Sequence, residues 1–222
     1  MVGECYNGSA KNNISNPLYP IVKMILHYPC EVTVLNSVDS TNNYIKTLEL
    51  GDVPWAVIAL EQTAGRGTHG RSFWSPGGTG VYLTIGFKPE SVPIPLDMEQ
   101  IQTVTRMAGV AVRRVLSRYS LDEPRIKPVN DILIDGRKVA GILTEGLTEG
   151  VGKFSAIYVG IGVNCFEAAL PEDIRETATW NNHPAREFTV LELAQDIIDE
   201  FLGLLKGLDV EKVLEEYEDW KI

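Results

Sequence analysis

The stretch Glu61-Gln62-Thr63-Ala64-Gly65-Arg66-Gly67-Thr68-His69-Gly70-Arg71-Ser72-Phe73-Trp74-Ser75-Pro76 constrains the chain most, because it links two strand-like runs and leaves no room for a helix. Ahead of it, Ala56 to Leu60 is short and fully apolar, as a buried strand is; behind it, Val81 to Phe87 resumes a sheet. The glycines let backbone N–H groups approach a ligand, and Arg66 and Arg71 carry permanent charge suited to carboxylate and phosphate oxygens. An anion-holding loop at the end of a strand is expected. Two short motifs compete for the same residues. Gly65-x-Gly67-x-x-Gly70 matches the dinucleotide fingerprint, and Gly65 to Ser72 is one residue from a P-loop, with Arg71 in place of lysine. Both require a helix N-terminus after the glycines. Phe73-Trp74-Ser75-Pro76-Gly77-Gly78 follows instead, which sets both aside.

Composition narrows the partners. The chain has 222 residues, 44% apolar and 23% charged, enough to bury a large core as one main domain. Its net charge of −10 offers no broad positive field, so nucleic acid is not an expected partner. Cys5, Cys30 and Cys165 are odd in number and far apart, which fits neither a disulfide framework nor a zinc site and points to a reducing cytoplasm. The early apolar run Ile21 to Leu26 is too short for a membrane span. Residues 1–16 read as a loose polar arm, and 17–222 as the folded domain.

In chain order, a short helix is expected from Pro17 to His27 and a strand from Glu31 to Leu35. Asp39-Ser40-Thr41-Asn42-Asn43 offers caps to a helix carrying Tyr44, Ile45 and Leu48 on one face; the same groups could hold a carboxylate or a ureido group. Asp97 with Gln100 reads as a capping box for a helix running to about Tyr119, with Ile101, Val104, Ala108, Ala111 and Val115 as its apolar stripe. Asp135-Gly136 between two apolar segments predicts a type I′ hairpin. Before it, Lys127-Pro128-Val129-Asn130-Asp131 places polar side chains where a core cannot easily take them. Phe154 to Ile161 reads as a strand ending in Gly160-Ile161-Gly162-Val163-Asn164, and Thr189 with Glu192 as a capping box for a helix carrying Leu193, Ile197, Phe201 and Leu204.

Taken together, four ordered segments resemble the biotin protein ligases of the biotin/lipoate ligase family: Asp39 to Asn42, the glycine–arginine loop, Lys127 to Glu145 with its hairpin, and Gly160 to Asn164. The resemblance implies an α/β fold of α+β type, a mixed, curved sheet flanked by helices and shared with class II synthetases. It also implies activation of biotin with MgATP to biotinyl-5′-adenylate, then transfer to a lysine of a biotin carboxyl carrier protein; a lipoate or octanoyl ligase and a non-catalytic biotin-binding regulator are the rivals. By the same resemblance, Lys127 and Arg66 are the catalytic cations. Ser40, Thr41, Asn42, Gln62, Gly65, Arg66, Lys127 and Gly141 contact biotin, while Arg66, Gly67, Thr68, Arg71, Phe73, Trp74, Asn130 and Asn164 contact the nucleotide. Asp131 is the candidate base for the acceptor lysine, by position. ATP, Mg2+ and biotin are the expected small molecules, the Mg2+ ligands are not assigned, and dimerisation through sheet edges is left open. Neither an N-terminal DNA-binding domain nor a C-terminal SH3-like barrel is read from the sequence. The chain departs from the family pattern at Thr68, where a second loop arginine is common, at Phe73-Trp74, where the tryptophan usually comes first, and at Pro128-Val129, in place of Trp-Pro.

Overall fold

Seven strands form one sheet in the computed structural model, which describes residues 24–92, 100–150, 153–207 and 209–222. They are β1 (Glu31–Leu35), β2 (Trp55–Ala59), β3 (Gly80–Phe87), β4 (Arg125–Lys127), β5 (Asp131–Ile134), β6 (Arg137–Thr148) and β7 (Phe154–Asn164), in the spatial order β1-β2-β3-β7-β6-β5-β4. β1 and β2 run parallel and every other pair is antiparallel. This is the mixed sheet expected from the sequence, and β3, buried along its whole length, lies inside it beside β7.

The two faces of the sheet differ. On one, α2 (Ile101–Tyr119) and α3 (Val190–Lys206) bury Val104, Met107, Ala108, Ala111, Leu193, Ile197 and Phe201 against Val32, Ile58, Leu83, Ile126 and Ile161. The helical periodicity of both segments is what creates those apolar stripes. α3 begins at the expected box: the Thr189 side chain accepts from the Glu192 N–H, and the Glu192 carboxylate accepts from the Thr189 N–H at 2.7 Å. α4 (Val210–Trp220) follows and packs on α2, with Tyr217 buried. On the other face the one helix among the described residues is α1 (Thr41–Ile45), whose Ile45 packs with Val57, Ala156 and Tyr158 in a small second cluster. Beyond that cluster, Gly141, Gly160 and Gly162 lie on the same face.

Several expectations are refined. The Asp135-Gly136 turn has φ of 51° and 73°, as a type I′ hairpin needs. After Gly65 comes only a three-residue 3-10 turn, Thr68–Gly70, consistent with the missing helix start. Met24 to His27 is not helical, and the remainder of the helix expected from Pro17 lies outside the described residues, as do Asp97, Cys5 and the arm over 1–16. Ser40 occupies the N-cap position of α1 yet makes no side-chain cap bond. The hydroxyls and amides beside it have other partners. Cys30 and Cys165 are free and buried, with thiols pushed up to about 12 by that burial, so they serve as small core residues. Among the described residues no helix is long and apolar enough to cross a membrane.

Candidate functional site

On the face that carries α1, Cα partners Ala59, Tyr82, Gly162, Gly141, Asp131 and Lys127 make one row across six strands. Partners in a row share a face. Next to it runs a second row, Val57, Thr84, Gly160 and Leu143. Three glycines of these adjoining rows, Gly141, Gly160 and Gly162, line one cavity. They do so because nothing larger fits: a Cβ on Gly160 would stand 2.2 Å from Asn42 Oδ1, one on Gly162 2.5 Å from the Phe73 ring, and one on Gly141 2.8 Å from Lys138 Nζ.

One wall is a hydrogen-bonded chain of amides and hydroxyls. The Gln62 amide nitrogen donates to Ser75 Oγ at 2.9 Å, and its oxygen accepts from the Thr41 N–H at 2.8 Å and from Thr41 Oγ1 at 3.1 Å. Thr84 Oγ1 contacts Thr41 Oγ1 at 2.8 Å and Asn42 Oδ1 at 2.6 Å, and Asn42 Nδ2 donates to Glu145 at 2.9 Å. Thr41 and Asn42 therefore face the cavity as part of a tertiary network, and Ser40 lines it beside them.

Two cations also line the cavity. Arg66 lines the cavity and is held by Asn43 Oδ1 at 3.0 Å and by Glu145 at 3.2 Å. Burial would raise the Glu145 carboxyl, but the Asn42 bond and the charges of Lys46 and Arg66 outweigh it and hold the group below the ordinary carboxylate range. Lys138 is the second cation, lying 2.6 Å from Asp131 and 5.9 Å from the Phe73 ring centroid.

Lys138, and not the Lys127 expected from the sequence, is the lysine that lines the cavity. Lys127 is exposed and does not line the cavity; it sits on the same face but at β4, three strands beyond Gly162, or roughly 14 Å at ordinary strand spacing. Lys138 arrives through a register shift. Leu133 pairs with Lys138 while Ile132 pairs with Ala140, so Val139 is an extra residue in β6. Strict alternation back from Gly141 would turn residue 138 away from the cavity, whereas the bulge re-aims it onto the glycine floor. The backbone there is clamped from outside the hairpin: the Lys138 N–H donates to the Thr177 carbonyl and the Thr179 N–H to the Lys138 carbonyl, both at 2.8 Å.

The remaining expected residues divide. Gln62, Gly67, Thr68, Phe73, Asn130 and Gly141 line the cavity with Ser40, Thr41, Asn42 and Arg66. Gly65, Arg71, Trp74, Asp131 and Asn164 do not. Gly65 is packed under the loop, where a Cβ would meet the Phe73 carbonyl at 2.4 Å. Arg71 folds back on Thr68, donating to its carbonyl at 3.3 Å and its hydroxyl at 3.0 Å. Trp74 is 43% exposed. Asp131 is beside the cavity through its ion pair with Lys138, and Asn164 donates to the Thr179 carbonyl at 2.8 Å, bracing the segment that clamps Lys138. Sequence reasoning missed Lys138 and Glu145 as site residues, although both lie in the segment singled out around the hairpin. No group of three or more His, Cys, Asp or Glu able to hold a metal occurs among the described residues.

Comparison with known proteins agrees with this geometry. The model of the Biotin/lipoate A/B protein ligase family matches residues 34–164, more than half of the chain. The bifunctional ligase/repressor BirA of Escherichia coli is 35% identical over 147 residues, 64% of this chain and 43% of the relative. A biotin--[acetyl-CoA-carboxylase] ligase of Paracoccus denitrificans is 38% identical over 135 residues, 59% and 53% respectively. The chain thus matches about half the length of these curated relatives. Among solved structures, the biotin protein ligase of Leishmania major in complex with biotinyl-5-AMP superposes with a TM-score of 0.70 at 28% identity, covering 86% of this chain and 81% of that one. The Aquifex aeolicus biotin protein ligase in complex with biotin and ATP gives 0.72 at 24% identity, over 86% and 78%, a likeness of fold. The chain belongs to the biotin/lipoate A/B protein ligase family.

Proposed function

We propose that this chain is a biotin protein ligase, which joins biotin to AMP at the expense of ATP and passes the biotinyl group to a lysine of a biotin carboxyl carrier protein. One observation carries the reading: Arg66 and Lys138 line a single cavity whose floor is glycine and which an amide and hydroxyl network walls. Such a wall suits a ureido ring, which both donates and accepts hydrogen bonds. An apolar dithiolane would cover the same groups and offer them nothing, so the lipoate alternative is not favoured. The printed names of the relatives and the biotin and biotinyl-5-AMP complexes of the structural neighbours support biotin as well.

In the first step a biotin carboxylate oxygen attacks the α-phosphorus and pyrophosphate leaves. Arg66 and Lys138 hold the carboxylate and the α-phosphoryl oxygens, where negative charge accumulates. Asp131, paired with Lys138, keeps that ammonium over Gly141. Phe73 covers the floor and Asn130 holds the hairpin edge to β6, its Nδ2 donating to the Ile142 carbonyl at 3.0 Å. Mg2+ would accompany ATP as its counter-ion; Asn130 and Asp131 are oxygen donors of the right type, and so few protein ligands fit an ion that keeps its waters and its phosphates. In the second step the acceptor amine attacks the acyl carbon, AMP leaves with the bonding pair, and Asp131 takes the proton that the amine loses.

Biotin-dependent exchange of labelled pyrophosphate into ATP tests this reading. Lys138→Ala should cut the exchange by about 10²–10³-fold, the usual cost of one lost oxyanion-type donor, while Lys127→Ala should leave it close to wild type. The reverse pattern would return the catalytic role to Lys127. Exchange driven by lipoate and not by biotin would replace the substrate, and tight biotin binding with no labelling of an acceptor would make the chain a biotin-binding regulator.

A further inference from the structure

Resting on the ligase reading for its substrate but on geometry for its mechanics, we infer that Glu145 is a positioning residue that anchors the glycine–arginine loop over the cavity. The loop from Arg66 to Ser72 is mostly bonded to itself. Its Gly67 N–H donates to the Arg71 carbonyl at 2.7 Å, Arg66 bridges Ser72, and Arg71 donates back to Thr68. Among the described residues, the only hydrogen bonds or ion pairs from this segment to the body of the protein pass through the Arg66 guanidinium, to Asn43 and to Glu145. Glu145 supplies the charged half of that attachment.

Three segments meet at this carboxylate. It takes Arg66 from the loop at 3.2 Å, and Asn42 and Lys46 from the α1 region at 2.9 Å each, while β6 holds it in register with Tyr158. It is 23% exposed, which spares it part of the screening that weakens surface pairs. Two consequences follow for the site. The side of the guanidinium bonded to Asn43 and Glu145 is occupied, which leaves its other N–H groups for an anion in the cavity. The Asn42 amide is also oriented, because its nitrogen is committed to Glu145 and its oxygen is left for Thr84.

The test compares wild type with Glu145→Gln, which keeps shape and one acceptor but loses the charge. In ligand-free protein, trypsin cleavage after Arg71 should speed up about three- to tenfold in the variant, as expected for losing a partly buried ion pair that holds a loop closed. The melting temperature should fall by a few degrees at most, as for the loss of one partly buried ion-pair cluster. In a Glu145→Gln, Arg66→Gln double variant the substitution at Glu145 should add nothing to the cleavage already caused by Arg66→Gln, because both remove one attachment. In pyrophosphate exchange the KM for biotin should rise by a similar factor with kcat kept within about twofold, the pattern of a lost ground-state contact. Unchanged cleavage after Glu145→Gln, or undiminished acceleration on top of Arg66→Gln, overturns the anchor. A wild-type chain that neither binds nor activates biotin would sink the ligase reading instead, and the trypsin comparison would still decide the anchor.

Discussion

At Gly160 the cavity floor has no space for a Cβ, and the atom in its way cannot step aside cheaply. Asn42 Oδ1, 2.2 Å from that Cβ, is fixed by a bond from Thr84 and by the bond its amide nitrogen gives to Glu145. Gly162 differs, since its Cβ would meet the tip of the Phe73 ring, and a ring can swing about χ1. Gly160→Ala should therefore cost about 1–3 kcal/mol of stability, as overpacking does, and weaken biotin binding with it. Gly162→Ala should cost clearly less stability while still reshaping the site. Thermal unfolding beside biotin titration checks both, and equal losses of stability would mean that Asn42 is freer than its bonds imply. The glycines of Gly160-Ile161-Gly162 were visible in the sequence, but whether they served packing or a ligand was not, because the answer lies on Asn42 and Phe73, far away in the chain.

Elements decide which residues reach those glycines. α3 shows local control: Thr189 and Glu192 satisfy each other's backbone donors within one turn, so the sequence announces the helix start without help from the fold. Thr189→Ala should lower stability by about 1 kcal/mol, a melting shift of roughly 2–4 °C for a chain of this size, and leave pyrophosphate exchange intact, since the cap is remote from the cavity. β6 shows the opposite case. Its extra residue at Val139 is invisible in the alternation of apolar and polar positions, yet it exchanges the face of Lys138 and so brings that lysine to the cavity. α1 is a third case, a five-residue helix whose apparent caps are used to build the cavity wall. Local propensity foresaw α1 and left its first residues open between cap and ligand contact; the fold places them on the cavity wall.

For the whole molecule, acid is the condition that bears on the packing of α2 against α3 and α4. Arg114, from α2, donates to Glu216 at 2.8 Å and to Glu200 at 3.0 Å. Its guanidinium holds the Glu216 carboxyl below 4.5, as the cluster around Arg66 and Lys46 holds Glu145, once burial is outweighed. Both groups bind protons less readily when folded than when unfolded. The stability that they contribute is therefore fully present above about pH 4.5 and is lost as the pH falls through their lower folded values. Melting curves collected downward from pH 7 should show this loss, and Glu216→Gln should have a lower plateau with a flatter acid limb; a limb parallel to wild type would show that Glu216 is not linked. Most strands, the helices over Ile101–Tyr119 and Val190–Lys206 and the type I′ hairpin were legible from the chain alone, because propensity, turn chemistry and apolar period act over a few neighbouring residues. Which lysine faces the cavity, what Glu145 ties together and what fills the space over Gly141, Gly160 and Gly162 were settled only by the fold. Those relations join residues from different strands and loops across the sheet, and a single shift in strand register is enough to exchange one for another.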